Sequence, residues 1–190
     1  MGRGCADQKQ RLMKRLLVCM IAVMSFMANS MAVEFAVTGS VSKVYEEPSQ
    51  SSAICNQFDD AVYVQLGMAF VKTGETQNYW KVKFPGWGNG VYIPKKSCVG
   101  SETLDITDGD YVMKSGDDEY VVKIVSNGET YKVEYNFSSF YDTLLVGKMV
   151  TPEVMDIVCV DWDNKEVGTV TRINGKIYVW IYDDFVLGWD

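Results

Sequence analysis

Apolar and polar residues alternate with period two along much of the chain beyond residue 33, in short runs bounded by Gly, Pro, Asn and Asp. Runs of this kind form strands with one face dry and one wet. The clearest covers residues 130–137, where Tyr131, Val133, Tyr135 and Phe137 alternate with Thr130, Lys132, Glu134 and Asn136. Residues 120–125 precede it across Ser126-Asn127-Gly128-Glu129, the signal of an Asn-Gly hairpin. Residues 144–150 and 156–162 add two strands, and Asp163-Asn164-Lys165 turns the chain into residues 166–173. Asn174-Gly175 then makes a second hairpin into residues 176–182. Six strands at this spacing predict one antiparallel meander over residues 101–190, curled into a barrel or packed as a sandwich.

The preceding stretch, residues 33–100, is also broken into short strands. Residues 35–37 and 41–45 are β-rich, residues 46–52 form a polar loop around Pro48, and residues 53–55 resume an apolar strand. Asp59-Asp60 turns into residues 61–66. Residues 72–78 read as a polar loop, residues 79–84 as a strand, and residues 91–93 as its return. Pro85, Gly86, Gly88, Asn89 and Gly90 place Trp87 at a flexible hairpin tip. Pro94 fixes φ for a tight 3₁₀ turn before a last short strand at Cys98-Val99. No helix longer than a turn or two is called for.

Residues 1–32 differ in kind. Arg11, Lys14 and Arg15 precede an apolar run over residues 16–27, and Ala28, Ser30 and Ala32 follow. This is the order of an export signal, with cleavage expected after Ala32 and Met13 as the natural start. The run is shorter than the ~20 residues that span a bilayer. Export implies a periplasmic or extracellular protein. The whole chain has 18 basic and 25 acidic residues; removing five basic and one acidic with the signal leaves 13 against 24, a net −11. Residues 33–100 carry six of each sign, so the excess lies in residues 101–190. Such a surface repels phosphate backbones and anionic headgroups, which argues against nucleic acid and against membrane insertion once the signal is removed.

The residues that follow one another as Val44-x-x-x-Pro48-Ser49, then Tyr79-Trp80-Lys81-Val82, then Gly90-Val91-Tyr92-Ile93, resemble the bacterial SH3-like domain. That family carries a Pro-Ser loop, a Trp-Tyr-x-Val strand and a Gly-Trp-Val strand in this order. The resemblance covers residues 33–100 and implies a small half-open barrel. It implies an aromatic groove around Tyr45, Tyr63, Trp80 and Tyr92, and a ligand that is a peptide or glycan of the cell envelope or a protein partner. In such a barrel the closing strand runs back beside the opening ones. Cys98 is thereby brought toward Cys55, for a disulfide, or for two reduced core residues with Cys159 as a third.

The chain has no histidine, which removes Ser-His-Asp and Cys-His catalysis and the usual zinc ligand sets. A carboxylate pair remains possible for glycoside hydrolysis, with Asp161, Asp163 and Glu166 as candidates, although all three fall at a turn where acidic residues serve geometry. The runs Asp105–Asp110 and Asp117-Asp118-Glu119 lack the alternate spacing of a calcium loop. Tyr178, Trp180 and Tyr182 share one face of the last strand and Ile177, Val179 and Ile181 the other. That strand is either covered on both sides or displays an aromatic strip for a ligand. Trp87 contacts either the second half or a partner. Together these features predict an all-β, two-domain, exported binding protein without cofactor or metal. The alternatives are a structural or inhibitory envelope protein, in which the barrel only supports the second domain, and a carboxylate-based hydrolase.

Overall fold

The computed structural model describes residues 33–54, 61–85, 87–115, 118–135, 140 and 142–182. Residues 1–32, where the export signal is expected, and Cys55 lie outside them. The chain is all-β, with no α-helix among the described residues. Its first half gives β1 (Phe35–Thr38), β2 (Ser42–Lys43), β3 (Tyr63–Val64), β4 (Ala69–Glu75), β5 (Tyr79–Phe84), β6 (Trp87–Pro94) and β7 (Cys98–Val99). Five of these form one sheet in the order β6-β5-β4-β1-β7, and β2 pairs with β3. The turn after Pro94 (φ −60°) is a 3₁₀ turn over Lys95–Ser97, and it delivers β7 antiparallel to β1.

The second half gives β8 (Gly109–Ser115), β9 (Asp118–Asn127), β10 (Thr130–Glu134), β11 (Leu145–Thr151), β12 (Val154–Cys159), β13 (Lys165–Ile173) and β14 (Lys176–Ile181). They form a meander of seven antiparallel strands, one more than the sequence pattern indicates. The additional strand is β8, whose Tyr111, Val112 and Met113 follow directly on the polar run Asp105–Asp110. The sheet curls into a nearly closed barrel. Across the seam, the backbone N–H of Ile181 in β14 donates to Sδ of Met113 in β8 at 3.3 Å. Strand alternation sends Val122, Ile124, Val133, Ile157, Val170 and Val179 inward, and all six are buried.

Two hairpins show how turn chemistry sets register. At Asn174-Gly175 both residues have positive φ (51° and 75°), with Ile173 paired to Lys176, as a two-residue Asn-Gly loop requires. At the other, Asn127 pairs with Thr130, so the loop is Gly128-Glu129 and only the glycine has positive φ (67°). This is the Gly-first variant, shifted by one residue from the expected Asn-Gly turn. Trp87 is also relocated: it pairs with Phe84 as the first residue of β6, not as a hairpin tip. β4 takes in Lys72, Thr73, Gly74 and Glu75, which read from sequence as loop.

Val33–Asp190 is one compact unit. The outer face of β12–β14 lies against the first sheet, and one hydrophobic cluster runs through both halves. The rings of Phe84, Phe70 and Tyr182 stack in series, at 5.2 and 6.0 Å between centroids. Strand ends of the first sheet expose backbone groups at this contact, and side chains of the second sheet satisfy them. Thr171 donates to the Gly67 carbonyl (2.7 Å), Trp180 Nε1–H to that of Leu66 (2.8 Å) and the Tyr182 hydroxyl to that of Ala69 (3.2 Å), while the Ala69 N–H donates to Thr169 (3.3 Å). Gly67 (φ 89°) lies so close to Tyr178 that an added Cβ would come within 2.4 Å of its Cβ. The connection after residue 100 is held as well. Glu102 and Leu104 donate backbone bonds to the carbonyls of Arg172 and Pro152, both 2.8 Å, and Leu104 is buried.

Candidate binding cleft

A hollow with polar and aromatic lining opens where β1, β4 and β7 meet the β11–β12 turn. Its volume is about 630 Å³, in the range of ligand pockets. Trp80 lines it, brought there by the short turn that joins β4 to β5. Lys72 of β4 and Lys95 of the 3₁₀ turn place their ammonium groups 3.9 and 4.3 Å from the centre of the Trp80 ring. A cation over an indole face is attracted by the ring quadrupole, by roughly 0.5–1 kcal/mol at an exposed site. Each lysine also holds a carboxylate: Lys72 Nζ lies 3.3 Å from Glu34 and Lys95 Nζ 2.5 Å from Glu75. The hydrogen bond from Lys95 and its charge hold the Glu75 carboxyl below its ordinary pKa. Val33, Val99 and Val154 supply aliphatic wall, and Glu153 and Ser101 a polar margin. Lys95 also borders a second hollow of about 300 Å³, lined by Gln50, Gln77, Asn78, Tyr79 and Lys96.

The expected groove of Tyr45, Tyr63, Trp80 and Tyr92 is not assembled as one surface. Trp80 pairs with Ile93, whereas Tyr92 pairs with Lys81. Cross-strand partners share a face and successive residues alternate, so Trp80 and Tyr92 point to opposite sides of the sheet. Tyr45 is buried, exchanges backbone hydrogen bonds with Tyr92, and packs edge-on against Tyr79 at 5.8 Å. Tyr63 is exposed, with Lys43 Nζ 5.8 Å from its ring centre. Of the four, only Trp80 lines the large cleft. The two lysines carry no sequence motif; the one local signal is that Lys95 follows directly on the Pro94 turn.

Tyr178, Trp180 and Tyr182 face the first sheet, and Tyr182 is fully buried. Their strip is therefore occupied by the chain itself, which corrects the ligand-displaying alternative. Cys98 is a free thiol here, and Cys55, its expected partner, lies outside the described residues. The Cys98 Sγ–H points to the Pro94 carbonyl at 3.6 Å, and burial pushes its pKa up to about 11, which keeps it out of the reactive thiolate form. Cys159 is also free and fully buried.

The carboxylate candidates separate. Asp161 accepts the Leu144 N–H at 2.7 Å, and Asp163 sits in the turn with φ 55°. Glu166 is different. Its carboxyl is pushed up to about 7, by burial first and then by neighbouring Asp156, whose own pKa is raised to about 6 by burial. Lys83 of β5 partly offsets both shifts. In the sequence, the signal for Asp156 is that it is the lone acid of an apolar strand, Val154-Met155-Asp156-Ile157-Val158-Cys159. Neither carboxyl lines the 630 Å³ cleft. Asp108 accepts the Ser126 N–H at 2.7 Å, which ties the acidic run to β9, and no cluster among the described residues has the ligands to hold a metal ion. In comparisons with known proteins, no family model, curated protein or solved structure matches the chain.

Proposed function

We propose that the chain is an exported, non-catalytic binding protein whose recognition site is the cleft at Trp80, with a peptide or glycan of the cell envelope, or a protein partner, as its ligand. The observation that carries this reading is the open cleft itself, in which an aromatic ring, two cations and an aliphatic wall converge. The first half is read as an SH3-like barrel. The strand order β6-β5-β4-β1-β7 and the 3₁₀ turn that precedes the closing strand support that reading. The basic, apolar and small-residue order of residues 1–32 supports export.

The runner-up, a barrel that only supports the second half, is favoured by the aromatic stack that fills the contact between the sheets. Sedimentation with insoluble envelope fragments separates the two. The mature chain is expected to co-sediment, and Trp80→Ala to weaken that binding by about thirtyfold or more, the usual scale for a central tryptophan. Equal binding by Trp80→Ala, with its thermal midpoint retained, would remove the cleft as the site.

A further inference from the structure

We infer that the Trp80 cleft selects an acidic peptide segment in which an aliphatic side chain lies between carboxylates; this rests on the cleft being the recognition site. The two ammonium groups over Trp80 already bind carboxylates, those of Glu34 and Glu75, whose side chains are 72% and 60% exposed. Exposed ion pairs of this kind stabilise little and exchange readily. A carboxylate of the ligand takes the place of Glu34 or Glu75 at the same ammonium, so each lysine keeps a counter-charge and its position over the ring. The internal pairs thus trace the positions where ligand carboxylates sit.

The wall of the cleft favours a peptide over a sugar. Val33 and Val99 are 45% and 44% exposed at its rim, with Phe35 and Val154 beside them. The exposed Val33 and Val99 side chains lose water favourably to a Val or Leu side chain and give sugar hydroxyls no partner. Lys95 borders the second hollow, where Gln50, Gln77 and Asn78 present amides. Amides pair with the N–H and C=O groups of an extended backbone, which advances ~3.3 Å per residue and so crosses from one hollow to the other within a few residues. Although the mature chain is strongly acidic, Lys72, Lys95 and Lys96 at this edge balance Glu34, Glu75 and Glu153, so the edge lacks the acidic excess that would repel an anion.

The test is fluorescence polarisation of the intact mature chain with labelled peptides Glu-Val-Glu-Val, Gln-Val-Gln-Val and Glu-Ser-Glu-Ser, and with a labelled oligogalacturonate. The Glu-Val peptide is expected to bind, with each of the other two peptides weaker by about tenfold or more. Lys72→Met and Lys95→Met are each expected to weaken Glu-Val by about tenfold and to leave Gln-Val unchanged. Equal binding of Gln-Val and Glu-Val would overturn the acidic selectivity while leaving the cleft as the site. Tighter binding of the oligogalacturonate would replace the peptide by an acidic glycan. Absence of binding by every probe, together with envelope binding that Trp80→Ala does not change, would remove both this inference and the reading beneath it.

Discussion

Tyr182→Ala is expected to lower the stability of the whole chain by about 3–5 kcal/mol, the usual cost of deleting a buried aromatic ring. The loss is expected in a single urea transition that takes both sheets together. Tyr182 follows β14 of the second sheet, yet its ring stacks on Phe70 of the first at 6.0 Å and its hydroxyl donates to Ala69 at 3.2 Å. Burial, and then the charge of Glu166, hold the phenol neutral, so that it remains a donor. Removing the ring therefore opens a cavity at the contact and orphans a backbone carbonyl. Phe70→Ala removes the same stack from the other side and is expected to cost a similar amount. Tyr182→Phe keeps the stack and loses only the hydroxyl, for about 1–3 kcal/mol. Circular dichroism and tryptophan fluorescence followed through the same titration decide the matter. Coincident curves are expected; a variant in which one half melts while the other keeps its wild-type midpoint would show that the halves fold independently.

Much of the second sheet was legible because period-two alternation and turn residues agree there. Residues 131–134 alternate between more and less buried as the pattern expects, and Asn174-Gly175 makes the turn its type demands. β8 was not legible, since Asp108, Gly109 and Asp110 form a polar run that continues into it. β4 was hidden for a related reason. Its first residues, Ala69 and Phe70, are buried, whereas Thr73, Gly74 and Glu75 are exposed, and the ladder to β5 shifts register between Lys72 and Gly74. Such a strand has no constant period. The candidate site was legible only at Trp80. Whether an aromatic points into a groove depends on its parity along the strand, and one residue of offset put Trp80 and Tyr92 on opposite faces. The lysines over the ring come from distant strands and turns, so no local spacing announces them.

The second large effect concerns the coupled carboxyls of Asp156 and Glu166. Asp156 pairs with Thr169 and Val158 with Glu166, so both acids project from the barrel on the face that carries Thr169 to β4. The charge of Lys83 in β5 acts on both and the buried Tyr182 phenol lies near, while Lys148, opposite Asp156 in register, turns to Asn164. Oδ1 of Asp156 is buried without a hydrogen-bond partner among the described residues. The folded pKa values, about 6 and about 7, lie above those of the unfolded chain, so between pH 4 and pH 7 the folded state holds protons that the unfolded state has lost. Stability from this pair is therefore full below the unfolded pKa values and falls as pH rises through the folded ones. Thermal midpoints are expected to be higher at pH 5 than at pH 8. Glu166→Gln is expected to raise stability at pH 8 by roughly 1–2 kcal/mol, after allowance for partial solvent screening, and to flatten the profile. Asp156→Asn acts in the same direction. Lys83→Met removes the opposing positive charge and is expected to steepen the fall. A Glu166→Gln chain whose pH profile parallels the wild type would show that the loss arises elsewhere on the acidic surface.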